Sequence, residues 1–224
     1  MKLLRETIRK MILEALKFDG TTRHGLMILK HPTKQVYLLV DGVHPMEDMF
    51  DLQDFYDNNL KAMLSLVSYT DDPCHDSMEV RKSAAVKGWG PTLYDLVMEL
   101  TEQPLINDRG SVSDPAQSMM QFYKDKRTDV EKKLLDNIDD PDYPATETSE
   151  DDCQAGNMAD YSYGKRVPDG VKWEDDPLSY AYNKSNTKRA QEMLEKGNQF
   201  IKSAHIEPEW ILYLGSKLFK EKYV

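Results

Sequence analysis

The sequence predicts an α/β (α+β) protein in which a mixed central sheet is flanked by helices. Short apolar, β-branched runs alternate with stretches whose apolar residues recur every three or four positions, and these patterns are typical of strands and helices respectively. One strand-like run, 78–86, also leads through two glycines into a helical stretch at 91–101. Strands mixed with helices in this way favour a sheet covered by helices.

The first segment, 1–19, is predicted to be an amphipathic helix. Its apolar residues recur at helical spacing, which favours a helix that docks on the domain. Arg5, Arg9 and Lys10 interrupt the apolar stretch, so we expect no secretory signal peptide.

The patterns between 20 and 135 predict one domain. In chain order we expect strands at 26–29 and 36–40 joined as a hairpin, a helix at 52–67, a strand at 78–86, a helix at 91–101, a short strand at 104–106 and a helix at 114–127. Ser113 precedes Asp114 and Pro115, a combination typical of a helix start.

The remaining chain is predicted to be an acidic linker or loop at 136–177 and a helical C-terminal extension at 178–224. Residues 136–152 contain eight acidic residues and no basic one, a composition typical of a solvated segment. An acidic docking or nucleic-acid-mimicking tail is the alternative.

Composition excludes several classes of function. The formal net charge is −10 over 224 residues, which argues against a general nucleic-acid or anionic-membrane binder. No apolar run approaches the ~20 residues that cross a bilayer. The two cysteines, Cys74 and Cys153, and the five histidines lack the spacing of a zinc site, so we expect no metal.

The stretch Lys87-Gly88-Trp89-Gly90-Pro91 stands where the predicted strand passes into a helix. Glycines in such a turn let backbone N–H groups converge on an anion, and the helix N-terminus contributes the positive end of its dipole. Neither the Walker pattern nor GxGxxG is present, and two glycines can also form a turn without a ligand. The pattern therefore predicts a candidate diphosphate-binding turn.

Residues 83–95 read SAAVKGWGPTLYD, and this stretch resembles the acyl-CoA-binding motif of the GNAT superfamily of N-acetyltransferases. It is similar, more narrowly, to phage-encoded GNAT-like proteins that share GWGP-x-LYD, an aspartate–arginine turn, a Ser-Val-Ser helix start and a helix with a tyrosine. The matching residues here are Asp108-Arg109, Ser111-Val112-Ser113 and a helix that contains Tyr123. The likeness extends over about residues 78–135.

The resemblance implies a set of site residues. The pantetheine arm of acetyl-CoA, the co-substrate, would lie along 80–86, and Tyr123 would protonate the leaving thiolate. Glu79 is the candidate base. The cofactor-binding residues would be Ala85, Val86, Lys87, Gly88, Trp89, Gly90 and Pro91. Ala85 stands where the superfamily has arginine or glutamine, and Tyr123 could equally be a core residue.

The expected function is that of a GNAT-like N-acetyltransferase of phage origin, acting on an unidentified amine in the host cytoplasm. The alternative is a catalytically inactive GNAT-fold protein, associated with the virion or bound to a host factor. Ile12-Leu13-Glu14 favours the alternative, because it resembles the (Ile/Leu)-x-Glu cleavage site of phage capsid-targeting peptides. A third hypothesis, an acidic decoy for a nucleic-acid-binding protein, is disfavoured because the charge is clustered in one segment.

Overall fold

The computed structural model describes residues 25–42, 52–68, 77–101, 103–107, 112–137, 152–153, 172–185, 187–203 and 205–223. The predicted helix at 1–19 and most of the acidic segment lie outside these ranges. Within them, no helix is long and apolar enough to cross a bilayer.

The described residues form strands and helices that alternate along the chain. The strands are β1 (Met27–Lys30), β2 (Val36–Val40), β3 (Leu60–Ser68), β4 (Met78–Ala85), β5 (Leu105–Asn107), β6 (Glu131–Leu134), β7 (Asp136–Asn137), β8 (Asp152–Cys153) and β9 (Tyr180–Asn183). The helices are α1 (Leu52–Asn58), α2 (Gly90–Leu100), α3 (Asp114–Lys126), α4 (Lys188–Ser203) and α5 (Pro208–Tyr223).

Seven strands build one mixed sheet in the order β1-β2-β3-β4-β5-β9-β6, and β7 pairs with β8 separately. Strands β1 to β4 are antiparallel neighbours, β4 and β5 are parallel, and β9 is antiparallel to both β5 and β6. The predicted mixed sheet flanked by helices is confirmed, as is the hairpin of β1 and β2.

The predicted helix at 52–67 is wrong in its second half. Helix α1 ends at Asn58, and the chain continues as strand β3. This strand lies between β2 and β4 and is buried on both faces, with Met63 and Leu64 in different cores. A strand buried on both faces loses the polar–apolar alternation that identifies strands, so its apolar residues matched a helical spacing by chance.

The predicted helical extension also needs correction at its start. Residues 180–183 form β9, which inserts into the central sheet between β5 and β6. Four residues are too few to show a period, and only the pairing with Leu105 and with 131–134 reveals the strand. The two helices that follow agree with the prediction.

The sheet carries a hydrophobic core on each face. The first core packs α2, α3 and the beginning of α4 on the sheet; it includes Ile28, Leu64, Met78, Val80, Leu93, Val97, Met120, Tyr123, Tyr182 and Met193. The second core packs α1 and α5 on the other face; it includes Leu29, Leu38, Phe55, Met63, Ala84, Ile211 and Leu214.

Helix α4 packs against the edge strand β1 through Gly197. A Cβ at this position would overlap the carbonyl oxygen of Ile28 and lie 2.6 Å from its carbonyl carbon. Edge strands present unpaired backbone groups that invite association, and glycine lets α4 approach β1 at the distance of backbone contact.

We predict that Gly197→Ala lowers the free energy of unfolding by about 3 kcal/mol, because the backbone of Ile28 is held in the sheet and cannot move aside. Gly215→Ala in α5 is the matched control, since its Cβ would lie 3.3 Å from Cε of Met63 and 3.4 Å from Cδ2 of Leu38. These are ends of side chains, so we expect a change within about 1 kcal/mol. Urea denaturation measures both, and equal stabilities would contradict the packing described here.

Candidate functional site

Strand β4 extends past Asn107, the last described residue of β5. Among the described residues the parallel pairing covers Met78–Val80 of β4 against Leu105–Asn107, and β4 continues to Ala85. On its other side β4 contains a bulge at Arg81, since Val80 pairs with Leu66 and Lys82 pairs with Ser65. A bulge bends a strand and increases its local twist, so it favours the divergence of β4 from β5.

A cleft of about 160 Å³ lies beside β4, where this strand continues past Asn107. It is lined by β4, the end of β5, the beginning of α3 and single residues of α2 and α5: Val80, Arg81, Lys82, Ser83, Tyr94, Asn107, Val112, Ser113, Ala116 and Phe219. Among the described residues of this lining the polar side chains are cations, hydroxyls and one amide. These side chains suit a ligand with hydrogen-bond acceptors or negative charge.

The glycine turn lies at the carboxyl end of β4. The N–H of Val86 donates to the carbonyl of Lys61 (2.8 Å), and the N–H of Trp89 donates back to the carbonyl of Val86 (3.0 Å). Gly88 has φ +91°, as the third residue of a type II turn requires. The predicted strand–turn–helix arrangement is confirmed, and Pro91 lies in the first turn of α2 as expected.

The candidate anion donors at the turn are backbone N–H groups at the start of α2 and the side chain of Lys87, since the N–H groups of Val86 and Trp89 already donate within the protein and Pro91 has none. The first N–H groups of a helix have no acceptor within the helix and carry its positive dipole end. Ala85 is partly buried against the first core and supplies only a methyl group where the superfamily has arginine or glutamine. Lys87 is exposed beside Gly88, so its charge is available to an anion bound at the turn.

Tyr123 is completely buried and lies outside the cleft lining. Its hydroxyl is 2.9 Å from the carbonyl oxygen of Pro91 and 2.9 Å from Oδ1 of Asp95. Burial and the nearby Asp95 carboxylate raise the pKa of Tyr123 well above its usual value. A phenol with a raised pKa is a weaker acid, so these contacts favour the packing role that the sequence left open.

Asp95 belongs to a network of charged residues that the sequence analysis missed. Arg127 binds Asp95 through both terminal nitrogens (3.2 and 2.8 Å) and also binds Asp129. Lys184 lies 2.7 Å from Glu99 and 3.6 Å from Asp95. The network joins α2 to α3 and to the end of β9, and hydrogen bonding to Arg127 lowers the pKa of Asp129.

The same network reaches α4 through Thr187. Its hydroxyl donates to Oε2 of Glu99 (2.6 Å) and accepts the N–H of Ala190 (3.2 Å), which makes it the N-cap of α4. The sequence signal for the network is the i, i+4 spacing of Asp95 and Glu99 on one side of a largely apolar helix. That spacing does not reveal which cations pair with them.

Glu79 lies on β4 but is not part of the cleft lining. Its Oε1 is 2.9 Å from Nε of Arg81, and its side chain is 12% exposed. Glu79 is therefore the ion-pair partner of Arg81, which does line the cleft. The role of Glu79 as a base stays a prediction.

No family model, curated protein or solved structure matches this chain.

We predict that Tyr123→Phe lowers the free energy of unfolding by about 1–2 kcal/mol, because it removes a buried hydroxyl bonded to α2. Tyr182→Phe is the matched control: its hydroxyl is equally buried and donates to the carbonyl of Pro177 (2.6 Å). Urea denaturation should show a similar decrease in the free energy of unfolding for the two variants. A fall of 100-fold or more in acetyl transfer for Tyr123→Phe alone, at unchanged stability, would contradict the packing role.

Proposed function

We propose that this protein is a GNAT-like N-acyltransferase that binds acetyl-CoA in the cleft beside β4 and transfers the acetyl group to an amine. The observation that carries the proposal is a cleft against residues 80–83 of β4, with the glycine turn at the carboxyl end of the same strand. The resemblance of residues 83–95 implies a diverging strand before the glycines, and the bulge of β4 at Arg81 favours such a divergence. The phage origin rests on the resemblance alone.

The length of chain between the glycine turn and the bulge of β4 suits the pantetheine arm of the cofactor. From Val86 back to Arg81 the strand spans about 16 Å, at about 3.3 Å per residue. An extended pantetheine arm, with roughly the bonds of four to five residues, spans about 15 Å. With the diphosphate at the glycine turn, the thioester would lie near the bulge at Arg81.

Acetyl transfer needs an amine to attack the thioester carbon, with release of the CoA thiolate and loss of a proton from the nitrogen. Positioning of the two reactants and hydrogen bonds to the carbonyl oxygen supply much of the rate. Within the described residues the hydroxyls that line the cleft belong to Ser83, Tyr94 and Ser113. Tyr94 and Ser113 are the candidates for protonating the thiolate in place of Tyr123, because they line the cleft and Tyr123 does not; Tyr94 is buried and Ser113 is half-buried.

One observation favours the second candidate, a GNAT-fold protein without catalysis that binds a host factor or is part of the virion. Both residues that the resemblance assigns to proton transfer are engaged elsewhere: Tyr123 with Asp95 and Pro91, and Glu79 with Arg81. Such a protein could keep the cleft and lose the reaction.

Calorimetric titration with acetyl-CoA tests the proposal. We expect a micromolar dissociation constant, and Lys87→Glu should weaken binding at least tenfold because it places a negative charge beside the diphosphate. Lys34→Glu makes the same charge change at an exposed position in the turn between β1 and β2, and we expect it to bind within twofold of wild type.

If both substitutions weaken acetyl-CoA binding equally, the effect comes from the net charge of the protein and not from the glycine turn. Absence of binding to the wild-type protein would refute the acyltransferase and leave the second candidate. Binding without transfer to any amine would favour a protein that retains the cofactor and lacks the reaction.

A further inference from the structure

Two cations and an aromatic ring line the cleft at the bulge of β4, where the cations stand five and four residues before Val86 of the glycine turn. Arg81 and Lys82 lie in β4 at its bulge, and Phe219 reaches the cleft from α5 on the opposite side of the sheet from α2. We call these three residues the distal wall. Both cations are exposed, Arg81 with 43% of its side chain accessible.

Neighbouring groups hold the two cations in position. Glu79 binds Nε of Arg81 at 2.9 Å, and Nζ of Lys82 lies 5.5 Å from the ring centre of Phe219, within the range of a cation–π interaction. Glu79 offsets one of the two positive charges, so the distal wall with Glu79 carries a net charge of about +1. In a chain whose net charge is −10, this local sign is opposite to that of the whole protein.

The length of the pantetheine arm indicates which of the two reactants, the cofactor or the acceptor amine, meets the distal wall. If the diphosphate binds at the turn, the arm ends at Arg81, and the phosphates of CoA lie about 16 Å away along the strand. The cations of the distal wall therefore do not face the cofactor's own negative charges. They face the thioester, where the acceptor must arrive for its nitrogen to attack.

We propose that the distal wall selects an acceptor amine that carries a carboxylate close to its amino group. This inference rests on the proposed acyltransferase function and deepens it by naming the class of acceptor. Lys82 and Arg81 bind the carboxylate by charge-assisted hydrogen bonds, which are stronger than neutral ones, and the ring of Phe219 contacts the apolar part of the acceptor. The same wall repels an acceptor that carries another positive charge besides that of its protonated amino group.

The test measures acetyl transfer from saturating acetyl-CoA to matched acceptors. One series is a peptide with a free amino terminus whose second residue is glutamate, glutamine or arginine. The other is a pair of small amines, 4-aminobutyrate and its amide. For the wild-type protein we expect kcat/KM at least tenfold higher for the glutamate peptide than for the glutamine peptide, or for the carboxylate than for its amide, through a lower acceptor KM.

Lys82→Glu should reverse the preference toward the arginine peptide, and Lys82→Gln should abolish the preference for acidic acceptors. The dissociation constant of acetyl-CoA, measured by calorimetry, should change much less than the acceptor KM in both variants, because the part of the cofactor beside Lys82 is the uncharged pantetheine arm. Circular dichroism reports separately whether each variant is folded. Lys34→Glu controls for net charge and should leave acceptor preference unchanged.

The outcomes separate this inference from the function on which it rests. Acetyl-CoA binding with equal transfer to all acceptors, or with transfer to none of them, overturns the carboxylate-bearing acceptor and leaves the cofactor site standing. An unchanged preference in Lys82→Glu overturns it as well. Weaker acetyl-CoA binding in the Lys82 variants would assign the wall to the cofactor instead, and absence of acetyl-CoA binding to wild type removes both proposals.

Discussion

The parallel pairing of β4 with β5 is the constraint on which the candidate site depends. Parallel neighbours cannot be joined by a tight hairpin, so the chain must leave β4 at its carboxyl end and return along a crossover. Helix α2 is that crossover, and its first turn therefore begins where β4 ends. The described part of β5 ends opposite Val80, and the bulge at Arg81 bends β4 just beyond that point. The positions of the glycine turn and of the helix N-terminus thus follow from a single connection.

The position of α2 is then secured by polar contacts as much as by its apolar face. Asp95 and Glu99 on α2 meet Arg127, Lys184 and Thr187, which belong to three other parts of the fold. Removing one member of such a partly buried network leaves its partner's charge unpaired, which costs more than the pair itself contributes. Asp95 belongs to the stretch that resembles an acyl-CoA-binding motif, yet its contacts are structural. A residue shared with a family motif can therefore serve the site indirectly, by fixing the helix that carries the glycine turn.

The two faces of the sheet have different roles in this arrangement. The first core supports α2 and α3, which border the cleft, whereas α5 on the second face contributes Phe219 and the contact with Lys82. Helix α4 packs on β1 at the far edge, where Gly197 permits backbone contact with Ile28. The cleft is thus lined by groups from both faces of the sheet beside the bulge of β4.

The sequence by itself determined the elements whose signals are local. Gly88, Gly90 and Pro91 predicted the turn and the start of α2, Ser113 predicted the start of α3, and the mixed sheet followed from the alternation of strands and helices. Two sets of predictions stay predictions: the division of the chain at 136 and 178, and the chemical roles of the site residues.

Tertiary structure alone decided the rest. Burial on both faces made 60–68 a strand despite its helical spacing, and the position between β5 and β6 made 180–183 a strand although four residues show no period. The hydroxyl of Tyr123 turned toward Asp95 rather than the cleft, because the direction of a side chain on a helix depends on how that helix packs.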